Sequence, residues 1–183
     1  MNKSRTHIYD LVSGLEPYDD VERETVGRVL ARIGSGQDVR LLAYFPAIDR
    51  VRRSVLLMDH ISAGLWLPTA GCVEPDEDPH QTVQRALTEE LGPRAAFVSS
   101  VASAPLFVTA REARGSASHT DVSLWYVVFA DERMWVDPDP REYAGHRWVS
   151  FEAVLALELA SLDPGMHRFI RKLETKLPNP KQL

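Results

Sequence analysis

The chain has 183 residues, which is enough for one domain of ordinary size and too short for two. Hydrophobic residues make up 44% of it and charged residues 26%, as in globular proteins that form a core. The 26 acidic residues outnumber the 21 lysines and arginines, giving a net charge of −5. This balance argues against a protein that binds a nucleic-acid polymer through its phosphate backbone.

The sequence lacks the long apolar runs of membrane or secreted proteins and the cysteines of a disulfide framework. Its apolar stretches are only a few residues long, too short for a transmembrane helix, and the amino end has no apolar run of signal-peptide length. The single cysteine, Cys72, excludes an internal disulfide framework and a zinc site built from clustered cysteines. We therefore expect a cytoplasmic protein that does not associate with membranes.

The amino-terminal region predicts a pair of helices over residues 7–33. Apolar residues recur there at helical spacing, either Asp19 or Asp20 can cap the second helix, and the Gly-Ser-Gly sequence at 34–36 ends it. We interpret this pair as a helical extension, residues 1–38, packed on a main domain, residues 39–178. The apolar residues of the pair are Ile8, Leu11, Val12, Leu15, Val21, Val26, Val29, Leu30 and Ile33.

The remainder of the chain alternates short apolar runs with a few helical patterns. The runs predict strands at residues 41–48, 54–58, 122–130 and 147–149 and a strand, turn and strand over 95–108; residues 122–130 are the clearest buried strand. Helices are predicted from Pro79, over 151–159 and over 164–177, and residues 179–183 form a tail that we expect to be frayed. This mixture indicates a layered α/β domain.

One helix carries an unusual carboxylate. In the helix that begins at Pro79, Val83, Leu87 and Leu91 form an apolar stripe, and Glu90 falls within that stripe. A carboxylate in such a position is costly unless a basic partner or a metal ion compensates its charge. Two readings remain open at this point: a metal site, or a helix rotated so that Glu90 reaches solvent.

Further carboxylates crowd the loop before this helix. Glu74, Asp76, Glu77 and Asp78 lie within five residues, without a histidine at ligand spacing. Convergent oxygens of this kind favour a hard ion, Mg²⁺ or Mn²⁺, over zinc. Such ions bridge to substrate phosphates, so this pattern predicts a small phosphorylated molecule as the substrate.

The spacing of the loop and helix resembles the Nudix box, the signature of the Nudix hydrolases. The matching positions are Gly71, Glu77, Arg85, Leu87, Glu89, Glu90 and Gly92. Further segments resemble the family from about residue 40 to residue 177, including the Trp-containing entry at 64–68. The resemblance implies an α/β (α+β) fold, a Nudix-type α/β/α sandwich with a mixed sheet, here with an N-terminal helical extension.

The resemblance also implies an activity and roles for individual residues. The activity is metal-dependent hydrolysis of a diphosphate linkage in a nucleoside diphosphate derivative or related small molecule. Glu89 and Glu90 would hold Mg²⁺, with Mn²⁺ as an alternative, and the backbone carbonyl of Ala70 would add a ligand. Arg85 would pair with Glu77 and hold the loop to the helix; the alternative is a solvated arginine.

Two positions depart from the family pattern: Ala86 replaces the usual glutamate, and Pro93 replaces the final aliphatic residue. On the helical wheel, the missing carboxylate would project between Glu89 and Glu90. The general base would then have to come from Glu74, Glu77, Glu142 or bulk solvent. The alternative function is a Nudix-fold module that binds a nucleotide or similar ligand but turns it over slowly or not at all.

Four further residues are weaker candidates. Glu142 could bring a late-loop carboxylate to the metal or to the attacking water, although loop acids are usually solvated. Trp66, His119 and Asp121 could contact the substrate; the alternatives are core packing for the tryptophan and a polar turn for the other two. The sequence does not identify the substrate, and it leaves both a monomer and a homodimer open.

Overall fold

The computed structural model describes residues 3–37, 39–92, 100–112, 120–134 and 136–178. Within those ranges it contains five α-helices, a short 3₁₀ helix and ten β-strands. The helices are α1 (Lys3–Ser13), α2 (Asp20–Ser35), α3 (Pro79–Leu91), α4 (Phe151–Ala156), the 3₁₀ helix (Leu159–Ser161) and α5 (Met166–Lys176). The strands are β1 (Val39–Tyr44), β2 (Ala47–Asp49), β3 (Ser54–His60), β4 (Leu65–Leu67), β5 (Ala70–Cys72), β6 (Ser100–Val101), β7 (Phe107–Glu112), β8 (Thr120–Trp125), β9 (Val128–Phe129) and β10 (Tyr143–Ser150).

The strands form two sheets, and each sheet is mixed. In the first the order is β5-β1-β8-β7, with β1 and β8 parallel and the other pairs antiparallel. In the second the order is β10-β3-β2-β9-β6, with β2 and β9 parallel and β4 added beside β3. The predicted α/β fold with mixed pairing is confirmed.

Two parallel segments cross from the first sheet to the second, and this corrects the predictions of single strands over 41–48 and 122–130. The chain bends at Tyr126, so that β8 belongs to one sheet and β9 to the other. Beside it, β1 bends into β2 at Pro46, which has no N–H to donate to a ladder. Hydrogen bonds join the two bends: the Tyr126 N–H donates to the Tyr44 carbonyl at 2.7 Å, and the Val128 N–H to the Pro46 carbonyl at 3.2 Å.

Both predicted helices of the amino-terminal extension are present, as α1 and α2. Asp19 caps α2, since its side chain accepts a hydrogen bond from the Glu22 N–H at 2.8 Å. The helix ends at Gly36, whose φ of 80° lies in the left-handed region that glycine adopts without strain. The two helices share a hydrophobic core with α3 and with the first sheet.

Two hydrophobic clusters hold the layers together. The first joins α1, α2 and α3 through residues such as Val12, Val29 and Val83. The second joins α4 and α5 to the central strands, and Trp125 and Phe169 are buried within it with ring centroids 5.0 Å apart. No helix in the described ranges is both long enough and apolar enough to cross a membrane.

Element boundaries differ modestly from the predictions. The helix predicted over 151–159 ends at Ala156 and is followed by the separate 3₁₀ turn, and the strand predicted at 147–149 extends over all of β10. The strand–turn–strand predicted for 95–108 is described only in part, as β6 and β7. The tail at 179–183 and Pro93 lie outside the described residues.

Candidate active site

Helix α3 begins as the sequence predicts. Pro79 occupies the first helical position, and the Asp78 side chain accepts from the His80 N–H at 2.7 Å. The Gln81 side chain reaches back to the Asp78 N–H at 3.4 Å, which completes the capping box. This cap fixes where the helix starts, and therefore where its later glutamates lie.

Arg85 joins three parts of the site through one guanidinium group. It donates to both carboxylate oxygens of Glu77, from Nε at 3.0 Å and from Nη2 at 2.9 Å. The same Nη2 donates to the Cys72 carbonyl at 3.1 Å, and Nη1 donates to Glu89 Oε2 at 2.9 Å. The contact with Glu77 that the resemblance implied is therefore present, and it connects the acidic loop, β5 and α3.

Glu77 is held firmly in its ionised form. The hydrogen bonds from Arg85 are the main cause of the shift in its pKa, which falls to about 2, and the Thr82 hydroxyl adds a bond at 2.7 Å. A carboxylate with so low a pKa is a poor proton acceptor near neutral pH. Of the candidate bases named from the sequence, Glu77 is therefore the least suited.

A cleft of about 330 Å³ opens beside these groups, between α3, β5 and the start of β10. Five of the predicted site residues line it: Ala70, Arg85, Glu89, Glu90 and Glu142. Glu74 also lines it, whereas Glu77 does not. The lining also includes the apolar or aromatic residues Leu42, Tyr44, Leu67 and Pro68.

Glu90 is half-buried in this cleft, and within the described ranges no lysine or arginine forms an ion pair with it. Burial raises the pKa of Glu90, and the negative charges of Glu142 and Glu89 add to that effect. A hydrogen bond from the Tyr143 hydroxyl opposes it. The helix has therefore not rotated to expose Glu90 fully, and its charge lacks the basic partner that burial calls for.

The strand pair β3 and β10 positions the residues on the far side of Glu90. The Ile61 N–H donates to the Glu142 carbonyl at 2.9 Å, and Tyr143 pairs with His60 across the two strands. Burial and the bond to Glu90 raise the pKa of Tyr143, so its hydroxyl keeps its proton. His60 also lines the cleft, and its Nδ1 accepts from the Ala63 N–H at 3.4 Å.

Three cleft residues, His60, Tyr143 and Tyr44, were not predicted from the sequence. Burial raises the pKa of Tyr44 to about 12, so it too lines the cleft as a neutral phenol. The adjacency of Tyr143 to the candidate Glu142 was the one available signal. His60 and Tyr44 lie on strands that meet the helix only through the tertiary fold.

Ala86 does not line the cleft. Its side chain is fully buried on the face of α3 that packs against β5. A Cβ built on Gly71 would lie only 2.8 Å from the Ala86 Cβ, so the helix and the strand approach too closely there for any other residue at position 71. A longer side chain at position 86 would have to extend past Gly71 to reach the carboxylates.

Two of the three weaker substrate-contact candidates, Trp66 and Asp121, contact other parts of the molecule. Trp66 packs against the second core cluster, and the Arg147 guanidinium stacks on its ring at 4.0 Å. Asp121 accepts hydrogen bonds from Arg40 at 2.7 and 2.9 Å on neighbouring strands. Neither side chain lines the cleft, and His119 lies outside the described residues.

The oxygen donors that line the cleft suit a hard divalent cation, but the fold brings them together only in part. Within the described residues, no group of three or more His, Cys, Asp or Glu side chains is gathered closely enough to hold a metal ion. Four glutamates, Glu74, Glu89, Glu90 and Glu142, nevertheless line one cleft together with Ala70. Oxygen donors few in number suit Mg²⁺, which keeps several waters when bound to proteins.

Comparison with known proteins places these features in a family. The model of the NUDIX domain matches residues 43–173, well over half of the chain and all of α3. A search of curated proteins found no match.

Solved structures share the fold at low sequence identity. The Escherichia coli dihydroneopterin triphosphate pyrophosphohydrolase aligns with a TM-score of 0.57 and 14% identity, over 72% of this chain and 94% of that one. A MutT protein from Methanosarcina mazei Go1 aligns at 0.56 and 19%, over 77% and 96%. A Caenorhabditis elegans Ap4A hydrolase aligns at 0.56 and 18%, over 76% and 96%. At these identities the structural likeness establishes the fold alone.

Proposed function

This chain belongs to the Nudix family, and we propose that it is a metal-dependent hydrolase that cleaves a diphosphate linkage in a nucleoside diphosphate derivative or a related small molecule. Glu90 carries this proposal. It is a half-buried carboxylate with acidic neighbours and no ion-pair partner in the described part of the chain. Such a group is stabilised by a cation that arrives with the substrate or before it.

Glu90, Glu89 and Glu142 would hold the cation, with the Ala70 carbonyl as a further ligand. When bound, Mg²⁺ or Mn²⁺ would neutralise the diphosphate and make its phosphorus more susceptible to attack by water. The chain itself would orient the substrate: Arg85 and Glu77 keep the acidic loop fixed on the helix beside the cleft. Leu42, Tyr44, Leu67 and Pro68 offer an apolar wall for its organic group.

The general base is assigned among the carboxylates beside the cleft. The low pKa of Glu77 disfavours it, and Glu89 is already bonded to Arg85. Glu142 and Glu74 line the cleft and have no ion-pair partner within the described ranges, so we assign proton acceptance to one of these two. We also propose that Ala86 slows turnover, since loss of a catalytic base costs on the order of 10²–10⁴ in rate if no neighbour substitutes fully.

A screen of phosphorylated substrates tests the activity. Nucleoside diphosphate derivatives, a pterin triphosphate and a dinucleoside polyphosphate should be incubated with Mg²⁺ or Mn²⁺, and the phosphate-containing products identified. The pterin triphosphate and the dinucleoside polyphosphate are included because two proteins of similar fold are named for substrates of those classes. Turnover that disappears in Glu90→Gln but persists in Glu174→Gln, a glutamate paired with Arg53 outside the cleft, would support the proposal. Turnover equal in both variants would contradict it.

The second candidate function is a ligand-binding module without significant turnover. Ala86 favours it, because the position at which the family usually has a glutamate is a buried alanine here. Calorimetric binding of the same compounds in the presence of Mn²⁺ discriminates between the two functions. A module would bind a compound tightly and return it unchanged after prolonged incubation, whereas an enzyme would release products.

A further inference from the structure

Tyr143 makes a contact with Glu90 that the proposed roles of the other cleft residues do not explain. The two residues are 53 positions apart in the chain, and the Tyr143 hydroxyl donates a hydrogen bond to Glu90 Oε2. Tyr143 is only 8% exposed, so its ring is held in the core. One carboxylate oxygen of Glu90 therefore accepts from a protein donor, whereas Oε1 accepts from none within the described residues.

The position of Tyr143 is itself fixed by several contacts. Its N–H donates to the Asp139 carbonyl at 3.0 Å, and it pairs with His60 where the β3–β10 register shifts. The His60 ring meets the Tyr143 ring edge-on, with centroids 5.4 Å apart. Because the preceding Glu142 carbonyl is bonded to Ile61, the same strand end places both the loop carboxylate and the tyrosine around Glu90. The hydroxyl thus points at Glu90 from a rigid support.

We propose that Tyr143 is a positioning residue for Glu90, and that it fixes the carboxylate so that a single oxygen, Oε1, is presented to a divalent cation in the cleft. Ordered partners behind a metal ligand restrict its rotation and so reduce the entropy lost on binding the ion. Without the hydroxyl, the Glu90 carboxylate would be free to turn towards solvent. This inference rests on the proposed role of Glu90 as a metal ligand.

Removal of one oxygen atom tests the inference, and the chain provides a matched control. Tyr143→Phe deletes the hydroxyl that contacts Glu90. Tyr126→Phe deletes a hydroxyl that is also buried but has no hydrogen-bond partner in the described part of the molecule. Mn²⁺ binding should be measured by calorimetry, without substrate, for the natural protein, both variants, Glu90→Gln, and the Glu90→Gln/Tyr143→Phe double variant.

We expect Tyr143→Phe to weaken Mn²⁺ binding about 10- to 100-fold, the range usual for loss of a group that supports a metal ligand. Tyr126→Phe should leave the affinity unchanged. In the Glu90→Gln background, Tyr143→Phe should have no further effect, because the ligand that it positions is gone. That dependence on Glu90 is a result that a purely structural role would not produce.

Two kinds of failure can be told apart. If Glu90→Gln binds Mn²⁺ as well as the natural protein does, the proposed function loses its metal ligand and the inference falls with it. If Glu90→Gln weakens binding but Tyr143→Phe does not, only the inference is overturned. Loss of folding in Tyr143→Phe, judged by thermal unfolding without metal, would overturn it too, since the hydroxyl would then support the fold and not one ligand.

Discussion

Glu22, which is fully buried, and Glu90, which is half-buried, have opposite surroundings. Glu22 is fully buried at the junction of α1 and α2, and its carboxylate accepts from Lys172 Nζ at 2.8 Å and from the Tyr18 N–H at 2.7 Å. Glu90 has a tyrosine hydroxyl, the nearby negative charges of Glu142 and Glu89, and only a small favourable electrostatic contribution from His60. Neutralisation within the chain makes Glu22 part of the fold, whereas the uncompensated charge of Glu90 is available to a ligand.

The contacts around Glu22 also show that the amino-terminal helices are joined to the rest of the molecule by ion pairs. The junction between α1 and α2 is joined to α5 by three ion pairs, although α1 and α2 lie before residue 43, where the family model begins to match. These pairs are Glu22–Lys172, Asp19–Arg168 and Glu16–Lys176. From the middle of α1, the His7 side chain reaches the cap of α3, where His7 Nε2 lies 2.9 Å from Asp78 Oδ2. The amino-terminal helices therefore contact both α3 and α5, two helices of the region that the family model matches.

The largest effect that we expect on stability comes from breaking the buried pair. Lys172→Met leaves the Glu22 carboxylate buried without a cation, and we expect the free energy of unfolding to fall by about 3–5 kcal/mol. Urea denaturation measures this change. The double variant Glu22→Gln/Lys172→Met should recover much of the loss, because no unpaired charge remains. A loss below about 1 kcal/mol, at the level of an exposed pair, would contradict the contrast drawn with Glu90.

A smaller effect should follow from Arg85→Ala, which removes the connection between the acidic loop and α3. Because Arg85 is partly exposed and makes charged hydrogen bonds, we expect a loss of about 1–3 kcal/mol in the free energy of unfolding, together with loss of activity. Arg141→Ala, which breaks a highly exposed pair with Asp139, is the control and should change stability little. Loss of activity with unchanged stability would instead give Arg85 a direct catalytic role.

The substitution Ala86→Glu examines the missing carboxylate. If the new side chain extends past Gly71 into the cleft, it should tighten Mg²⁺ binding about tenfold, roughly 1.4 kcal/mol, and raise turnover. Ala86→Gln has nearly the same shape without the charge, so it controls for the disturbance of the buried helix face. Equal metal binding and turnover in the natural protein and in a folded Ala86→Glu variant would mean that another residue already fills this role or that the site is not catalytic.

The smallest effect is a pH dependence at the α1–α2 junction. The pKa of Asp19 is lowered in the folded protein, mainly by hydrogen bonds from Arg168. The ionised Asp19 carboxylate therefore stabilises the fold above its unfolded-state pKa of about 3.9. That contribution should disappear as the pH falls through the lower folded-state pKa. Asp19→Asn retains the helix cap, so its stability deficit should be constant at neutral pH and shrink below about pH 4. If the stability deficit of Asp19→Asn did not change with pH, the charge of Asp19 would not be its cause.

Local sequence patterns predicted the parts of this molecule that are themselves local. The capping box of α3, the amino-terminal helix pair and the contact between Arg85 and Glu77 all depend on residues a few positions apart or on a signature with fixed spacing. The division of residues 122–130 between two sheets was missed, because a uniform apolar run carries no sign of a change of sheet. Tyr143 was missed as a partner of Glu90 for a similar reason: strand pairing far along the chain brings them together.

The central claim is that the uncompensated charge of Glu90 forms part of a site for a divalent cation. The most direct measurement is the free energy of unfolding with and without Mn²⁺, for the natural protein and for Glu90→Gln. At a Mn²⁺ concentration 100 times the dissociation constant, the natural protein should gain about 2.7 kcal/mol. Glu90→Gln should gain far less at the same concentration, while its metal-free stability stays equal to or above that of the natural protein. Equal gains for both proteins would contradict the claim.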